Sequence, residues 1–347
     1  AATYNTAFGR DALYSNTTAG NNTAYGATSM FLNTTGTANT ALGQSALYSN
    51  TTGVNNTASG FQTMFLTTTG TYNTATGYHA LYHNTTGYYH TAVGSQALNQ
   101  NTTGTWNTSV GFQSMYTNTT GTLNAAVGGQ AMYYNTTGAH NTASGYRALF
   151  SNTTASYNTA IGYGALYTNT TGAYNTAVGK NASRNNVTSS YNAAFGNFAL
   201  CVSTAGPNTG LGYGALQKNT TGTHNTASGY QALVNNTTGT QNTATGSDAL
   251  QVNTTGSFNT AFGRSALCGN TTGVCNDASG FNTMRHNTTG ANNTAHGMEA
   301  LYTNTTGQKN TAIGFRSLVS STTACYNTAV GACTLFANTT GADNTAV

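Results

Sequence analysis

The acidic side chains of this sequence are few and widely separated. The 347 residues include only five carboxylates, which are Asp11, Asp248, Asp277, Glu299 and Asp343. Hydrolysis by paired carboxylates needs two such groups within about 10 Å of each other, and general acid–base catalysis needs them positioned at the reacting bond. The scattered positions indicate no such pair, so an enzyme is the function class that the sequence favours least.

Histidine offers no better site. His79, His83 and His90 form the only histidine cluster, and neither a cysteine nor an acidic residue joins them as a further metal ligand. The formal charge of +4 is spread thinly along the chain, without the basic stripe that binds nucleic acid. We therefore expect no metal, no cofactor other than covalently attached glycans, and no nucleic-acid partner.

The cysteines form no C-x-x-C motif. Cys268 and Cys275 could form a disulfide bond within one stretch of chain, as could Cys325 and Cys333, which would suit an oxidising extracellular setting. Cys201 is left without a nearby partner.

A 17-residue repeat organises the chain. The unit reads N-T-A-x-G-x-x-A-L-x-x-N-T-T-G-x-x, and its first glycine recurs in all 20 copies from Gly9 to Gly331. We interpret residues 1–347 as one array of these units, incomplete at both ends and hence a window onto a longer protein or fibre. One residue is missing from a turn near residues 203–210, where the only proline, Pro207, lies.

Composition favours ordered repeats over disorder. Only 4% of the residues are charged, yet the chain carries 22 Tyr and 13 Phe, whereas disordered chains usually combine high net charge with few aromatics. Units rich in Asn, Gly and Thr form poor helices, and no apolar run is long enough to insert into a membrane. The sequence therefore predicts an all-β parallel solenoid, or β-roll, of about twenty 17-residue coils. Each coil should contain two extended segments, around NTAxG and xxALx.

Residue columns along such a solenoid have distinct expected roles. In one strand, Asn158, Ala160 and Gly162 share a face while Thr159 and Ile161 share the other, and the sequence leaves open which face is internal. The unvarying glycine indicates that another backbone comes close, either across a thin coil or from a second chain. The Leu or Met column is the expected core, and the aromatic column after it, which also accepts Arg and Gln, should be half exposed. The predicted structural ladders include Asn5, Asn22, Asn39, Asn158, Asn175, Gly9, Gly26, Gly162, Gly179, Leu13 and Leu166.

The phrases NTAIGYGAL (Asn158–Leu166), HTAVGSQAL (His90–Leu98) and NTAIGFRSL (Asn310–Leu318) resemble the head repeats of YadA-type trimeric autotransporter adhesins. They are also similar to repeat shafts of phage tail fibres and bacterial surface fibres. The resemblance implies a parallel, left-handed β-roll, often trimeric, on a cell or virion surface.

The second asparagine of the unit is a candidate modification site. It forms N-x-T in 17 of 20 copies, an acceptor sequon that belongs on surface loops. We predict that this column faces outward and carries N-glycans, while the Asn of NTA forms an internal amide ladder. Simple turn chemistry explains NTT equally well, and Thr17 and its equivalents offer O-linked acceptors. The predicted glycosylation sites are Asn16, Asn33, Asn50, Asn84, Asn101, Asn118, Asn135, Asn152, Asn169, Asn186, Asn219, Asn236, Asn253, Asn270, Asn287, Asn304 and Asn338.

These features favour a structural role. The leading hypothesis is the shaft of an extracellular fibre or filament on a cell or virion surface, which self-associates as a trimer or end to end. The alternative is an adhesin or tail-fibre segment that binds a surface glycan through its aromatic and Asn/Thr ladders. Ice binding is a third hypothesis, because Thr ladders can order water. Against it, adjacent Thr residues point to opposite faces of an extended turn.

Overall fold

The computed structural model describes residues 3–347, which fall into two compact units. The first unit ends at Tyr174 and the second covers Asn175–Val347. In both, each coil contributes one short β-strand and the rest of the coil consists of turns and bends. No α-helix occurs among the described residues, so none of them belongs to a helix that could cross a membrane. The predicted all-β parallel solenoid is confirmed in each unit.

The strands recur at the repeat period. The first unit contains β1 (Thr6–Phe8), β2 (Thr23–Tyr25), β3 (Thr40–Leu42), β4 (Thr57–Ser59), β5 (Thr74–Thr76), β6 (Thr91–Val93), β7 (Thr108–Val110), β8 (Ala125–Val127), β9 (Thr142–Ser144) and β10 (Thr159–Ile161). The second contains β11 (Thr176–Val178), β12 (Ala193–Phe195), β13 (Thr209–Leu211), β14 (Thr226–Ser228), β15 (Thr243–Thr245), β16 (Thr260–Phe262), β17 (Asp277–Ser279), β18 (Thr294–His296), β19 (Thr311–Ile313), β20 (Thr328–Val330) and β21 (Thr345–Ala346).

Within each unit, every strand pairs in parallel with its own copy in the next coil. Thr40 of β3 pairs with Thr57 of β4, and the neighbouring residues follow in register. The short coil of the second unit keeps this register, because Ala193 of β12 pairs with Thr209 of β13. The missing residue therefore lies outside the paired strands.

The face with the small side chains is the internal one. Ala160 is completely buried, whereas Ile161 is 41% exposed and Thr159 is half-buried. The core accordingly combines this alanine column with the Leu or Met column, represented by Leu166. Ser183 replaces leucine in that column and is also buried.

The prediction of a second extended segment in each coil is wrong. The residues around xxALx form turns, because both the leucine and the residue two places before it adopt the left-handed backbone region. In one coil, Ser45 has a φ of 56° and Leu47 a φ of 50°. Hydrogen bonds to the next coil still form there, from Leu47 N–H to the carbonyl of Thr63 at 3.0 Å.

Candidate functional site: the internal asparagine and glycine columns

The asparagine of each NTA phrase lies inside its coil. Asn56 donates a side-chain hydrogen bond to the Gly70 carbonyl of its own coil at 2.8 Å. Its Oδ1 accepts from the backbone N–H of Asn73 in the next coil at 3.0 Å. The same two kinds of bond are made by Asn5, Asn22, Asn39 and Asn175. Asn158 is buried and donates from Nδ2 to the Gly172 carbonyl at 2.9 Å.

The asparagine of NTT is internal as well, so the prediction that it faces outward is wrong. Asn118 donates from Nδ2 to the Gly121 carbonyl at 3.1 Å and to Oδ1 of Asn101 at 3.0 Å. The coil turns inward at this residue and makes the amide part of the core. Complete burial holds for Asn33, Asn50, Asn84, Asn101, Asn118, Asn135, Asn152, Asn169, Asn186, Asn219, Asn236, Asn253, Asn270, Asn287 and Asn304, while Asn16 and Asn338 are half-buried.

Burial bears directly on glycosylation. An N-linked sugar would attach to Nδ2, the atom that in Asn135 donates to Oδ1 of Asn118 at 2.7 Å and to the Gly138 carbonyl at 3.0 Å. A sugar there would need space that the core fills, and it would leave buried acceptors without a donor. At the completely buried sequons, the folded coil therefore offers no room for a glycan.

The two asparagine columns meet at one backbone carbonyl. The Gly138 carbonyl accepts from Asn124 at 2.8 Å and from Asn135 at 3.0 Å. A Cβ on Gly138 would approach the carbonyl oxygen of Ala155 and lie 2.5 Å from Oδ1 of Asn135, which real atoms do not tolerate. The last residue of NTTG is therefore small, because the side-chain amides of both asparagine columns converge there.

Two substitutions in the NTT column leave buried polar atoms without partners. Thr67 stands where the ladder expects asparagine, and both its hydroxyl and Oδ1 of Asn50 lack a hydrogen bond. In the same way, the hydroxyl of Ser321 and Oδ1 of Asn304 lack a hydrogen bond. Each substitution removes one side-chain amide donor, so the ladder is interrupted at that coil.

His90 replaces the NTA asparagine in one coil and reproduces its contacts. Its Nδ1 accepts from the N–H of Asn107 at 3.3 Å, and its Nε2–H donates to the Gly104 carbonyl at 2.7 Å. The ring is buried. Burial lowers the pKa of His90 to about 4, because the charged imidazolium is disfavoured away from water.

The glycine that follows each strand packs against its own copy in the next coil. Gly26 has a φ of 138°, and a Cβ there would lie 2.5 Å from the carbonyl oxygen of Gly43. Gly9 meets Gly26 in the same way, and Gly162 and Gly179 share the positive φ. A close backbone is present, as inferred from sequence, but it is the adjacent coil of the same chain and neither the opposite side of the coil nor a second chain.

The column after leucine is half-buried, as predicted, and its rings stack on one another. In the first unit, Tyr14, Phe31, Tyr48, Phe65 and Tyr82 form one continuous row, with neighbouring ring centroids 4.9–5.2 Å apart. A second column of exposed rings includes Tyr72, Tyr89 and Trp106, with centroid distances of 5.0 and 4.1 Å. The rings thus cover each other's faces.

Neither of the two possible disulfide bonds is formed, since all five cysteines are free thiols. The thiol of Cys268 contacts Oε1 of Gln251 at 3.7 Å, and that of Cys325 accepts from the N–H of Gln308 at 3.3 Å. Each therefore faces the preceding coil and not the cysteine in its own repeat. Burial raises the pKa of the Cys201 and Cys268 thiols.

The remaining ionisable groups do not assemble into a metal site within residues 3–347. His79 bonds to Oε1 of Gln62 at 2.8 Å, while His83 is exposed. Among the acids, Glu299 accepts from Arg316 at 2.7 Å and Asp277 contacts His296 at 3.2 Å.

No protein-family model matches the chain, and no curated protein matches it.

Proposed function

We propose that this chain is a structural shaft, a stack of coils that provides length in an extracellular fibre or filament on a cell or virion surface. The observation that carries the proposal is that the repeated side chains make contacts within a coil or between neighbouring coils. The Asn, Gly and Leu columns all point into the coil or at the neighbouring coil, so each copy mainly serves the next one. The resemblance of the NTAxG phrases to adhesin and tail-fibre repeats supports the same role, including self-association of chains.

A glycan-binding adhesin is less well supported by the aromatic residues. Sugars stack on the open face of an aromatic ring, and in the stacked columns neighbouring rings occupy those faces. Tyr157, for example, lies between His140 at 4.8 Å and Tyr174 at 4.9 Å, with almost parallel planes. Within such a stack only ring edges remain for a ligand.

Whole-unit deletion tests the shaft proposal. Removing three coils, residues 74–124, keeps every column in register and should shorten the particle in solution scattering by about 14 Å, at about 4.8 Å for each coil. Cooperative unfolding should persist. Removing residues 74–81 instead shifts the columns and should prevent folding. A three-coil deletion that unfolds the chain, or leaves its length unchanged, would contradict the proposal.

Location needs a separate measurement. Gold-labelled antibody against the repeat, applied to intact source cells or virions in electron microscopy, should decorate thin surface filaments. Label confined to the cell interior would overturn the extracellular part of the proposal.

A further inference from the structure

The two threonines of NTTG have different environments in the first unit. The hydroxyl of the first threonine is used by the fold: that of Thr34 donates to the carbonyl of Thr51 in the next coil at 3.0 Å, and that of Thr102 to Thr119 at 3.1 Å. The second threonine is exposed in every coil of this unit. Within residues 3–347, only the first threonine of each of these turns bonds through its hydroxyl, and the hydroxyl of the second makes no hydrogen bond at Thr35, Thr52, Thr69, Thr86, Thr103, Thr120, Thr137 and Thr154.

This second-threonine column is exposed yet does not vary. It consists of Thr18, Thr35, Thr52, Thr69, Thr86, Thr103, Thr120, Thr137, Thr154 and Thr171. Other exposed positions of the same coils have diverged freely. The residue after the strand glycine, for instance, is Gln44, Phe61, Ser95 or Gly129 in different coils. Because the copies share one repeat history, divergence elsewhere indicates that the threonine column is under a constraint that the other exposed columns lack.

The constraint involves both groups of the threonine side chain. Serine would supply the hydroxyl and valine would supply the branched methyl, but neither occurs in this column, although the chain uses both elsewhere. A turn threonine usually bonds its hydroxyl to nearby backbone, and here that bond is absent. A hydroxyl that donates and accepts, fixed beside a methyl group, is suited to holding water in an ordered arrangement.

The backbone beneath the column is held rigidly. The Thr51 carbonyl accepts from the N–H groups of Thr34, Thr35 and Gly36 at 3.0, 3.1 and 3.2 Å. The NTT segment is a bend and not an extended turn, so the second threonine is exposed while the first, as at Thr34, is half-buried, and the argument against a water-ordering face that assumed an extended turn does not apply to the second-threonine column. Successive coils place the threonines about 4.8 Å apart, close to one of the lattice repeats of hexagonal ice.

We propose that the second-threonine column of the first unit is an ice-binding surface, whose hydroxyl and methyl groups hold water in the arrangement of the ice lattice. This activity is independent of the shaft role, because it depends on outward side chains that the fold does not use.

Inhibition of ice recrystallisation tests this proposal with the full chain. The wild-type protein should slow crystal growth. Thr86→Lys combined with Thr103→Lys should abolish the effect, and Thr86→Ser combined with Thr103→Ser should lower it. The control is Tyr78→Lys combined with Phe112→Lys, which places the same charges at exposed positions of variable columns and should retain full activity.

Thermal unfolding of each variant establishes that it is folded. An inactive wild-type chain would overturn the proposal, as would full activity of either threonine pair or an equal loss in the control. None of these results would affect the deletion test of the shaft, so failure of one proposal is distinguishable from failure of the other.

Discussion

Nδ2 of Asn118 donates a hydrogen bond at 3.0 Å to Oδ1 of Asn101, the equivalent residue one coil earlier. Oδ1 of Asn118 in turn accepts from Nδ2 of Asn135, one coil later, at 2.7 Å. One side chain thereby connects three successive coils. All three asparagines are completely buried, so water does not compete for these bonds, and each amide left without a partner would be costly.

Asn118→Ala should therefore lower the free energy of unfolding by about 2–4 kcal/mol, because it removes several hydrogen bonds and leaves buried partners unsatisfied. Denaturant unfolding measures this loss. Gln44→Ala is the control, since Gln44 is exposed and should change stability by less than about 0.5 kcal/mol. Equal effects of the two substitutions would show that the ladder contributes nothing particular.

Thr67→Asn should stabilise the chain. The new amide can donate to Oδ1 of Asn50, which now lacks a partner, and can restore the ladder toward Asn84. We expect a gain of about 1–2 kcal/mol. Thr67→Val removes the unpartnered hydroxyl without supplying a donor, so it separates the two contributions. An asparagine variant no more stable than the valine variant would contradict the ladder argument.

Gly111→Ala should be among the most damaging small substitutions. Gly111 has a φ of 131°, and a Cβ would lie 2.6 Å from the carbonyl oxygen of Gly128. The coils would have to separate, and we expect a loss of at least about 3 kcal/mol. Gly129→Ala is the matched control, because its Cβ would make ordinary contact with the ring of Tyr146 at 3.4 Å. Melting temperatures that fall equally would be inconsistent with this geometry.

Acid should weaken the coil that contains His90. With a folded pKa lowered to about 4 and an unfolded value near 6.5, the unfolded chain binds the proton more readily. Neutral His90 therefore contributes to the free energy of unfolding above about pH 6.5. This contribution, on the order of 3 kcal/mol, is lost as the pH falls toward 4. Comparing unfolding at pH 7 and pH 4.5 measures it. His90→Asn should remove most of this difference, and an unchanged pH dependence would refute the assignment.

The buried sequons should be unmodified in the folded protein. Glycopeptide mass spectrometry of chain from its natural source should find no sugar on Asn101 or Asn253, since both are completely buried. A sugar on the folded, cooperatively melting protein at either position would contradict the inward orientation of this column.

The solenoid was predictable because the residues that repeat every 17 positions, above all the strand glycine, fit a parallel stack of identical coils. Gly26 and its copies recur without exception, and a parallel stack of identical coils is the arrangement in which such a column meets itself. The internal position of Ala160 was not predictable, because alternation defines two faces without saying which faces inward. The turn at Leu47 was missed because leucine rarely adopts a positive φ.

The inward asparagine of NTT was also missed, although the sequence holds a signal. Where this column departs from asparagine it becomes Thr67, Ser203 or Ser321, always small and polar. Exposed columns accept far larger changes, such as Trp106 beside Leu123 in adjacent coils. A narrow range of substitution is typical of a buried polar position, whereas the sequon pattern indicates a surface loop.

The coil with one residue fewer has a wider consequence. The N–H of Asn208 still donates to Oδ1 of Asn192 at 3.0 Å across this shortened coil, so the bond between the strand asparagines survives the shorter turn near Pro207, while Nδ2 of Asn192 donates to the Ser189 hydroxyl at 3.0 Å. A position that accepts removal of a residue while the strands stay in register should also accept added ones. The scaffold could therefore display a foreign loop or a short epitope at that turn, at a chosen height along the stack, while the columns inside go on pairing as before.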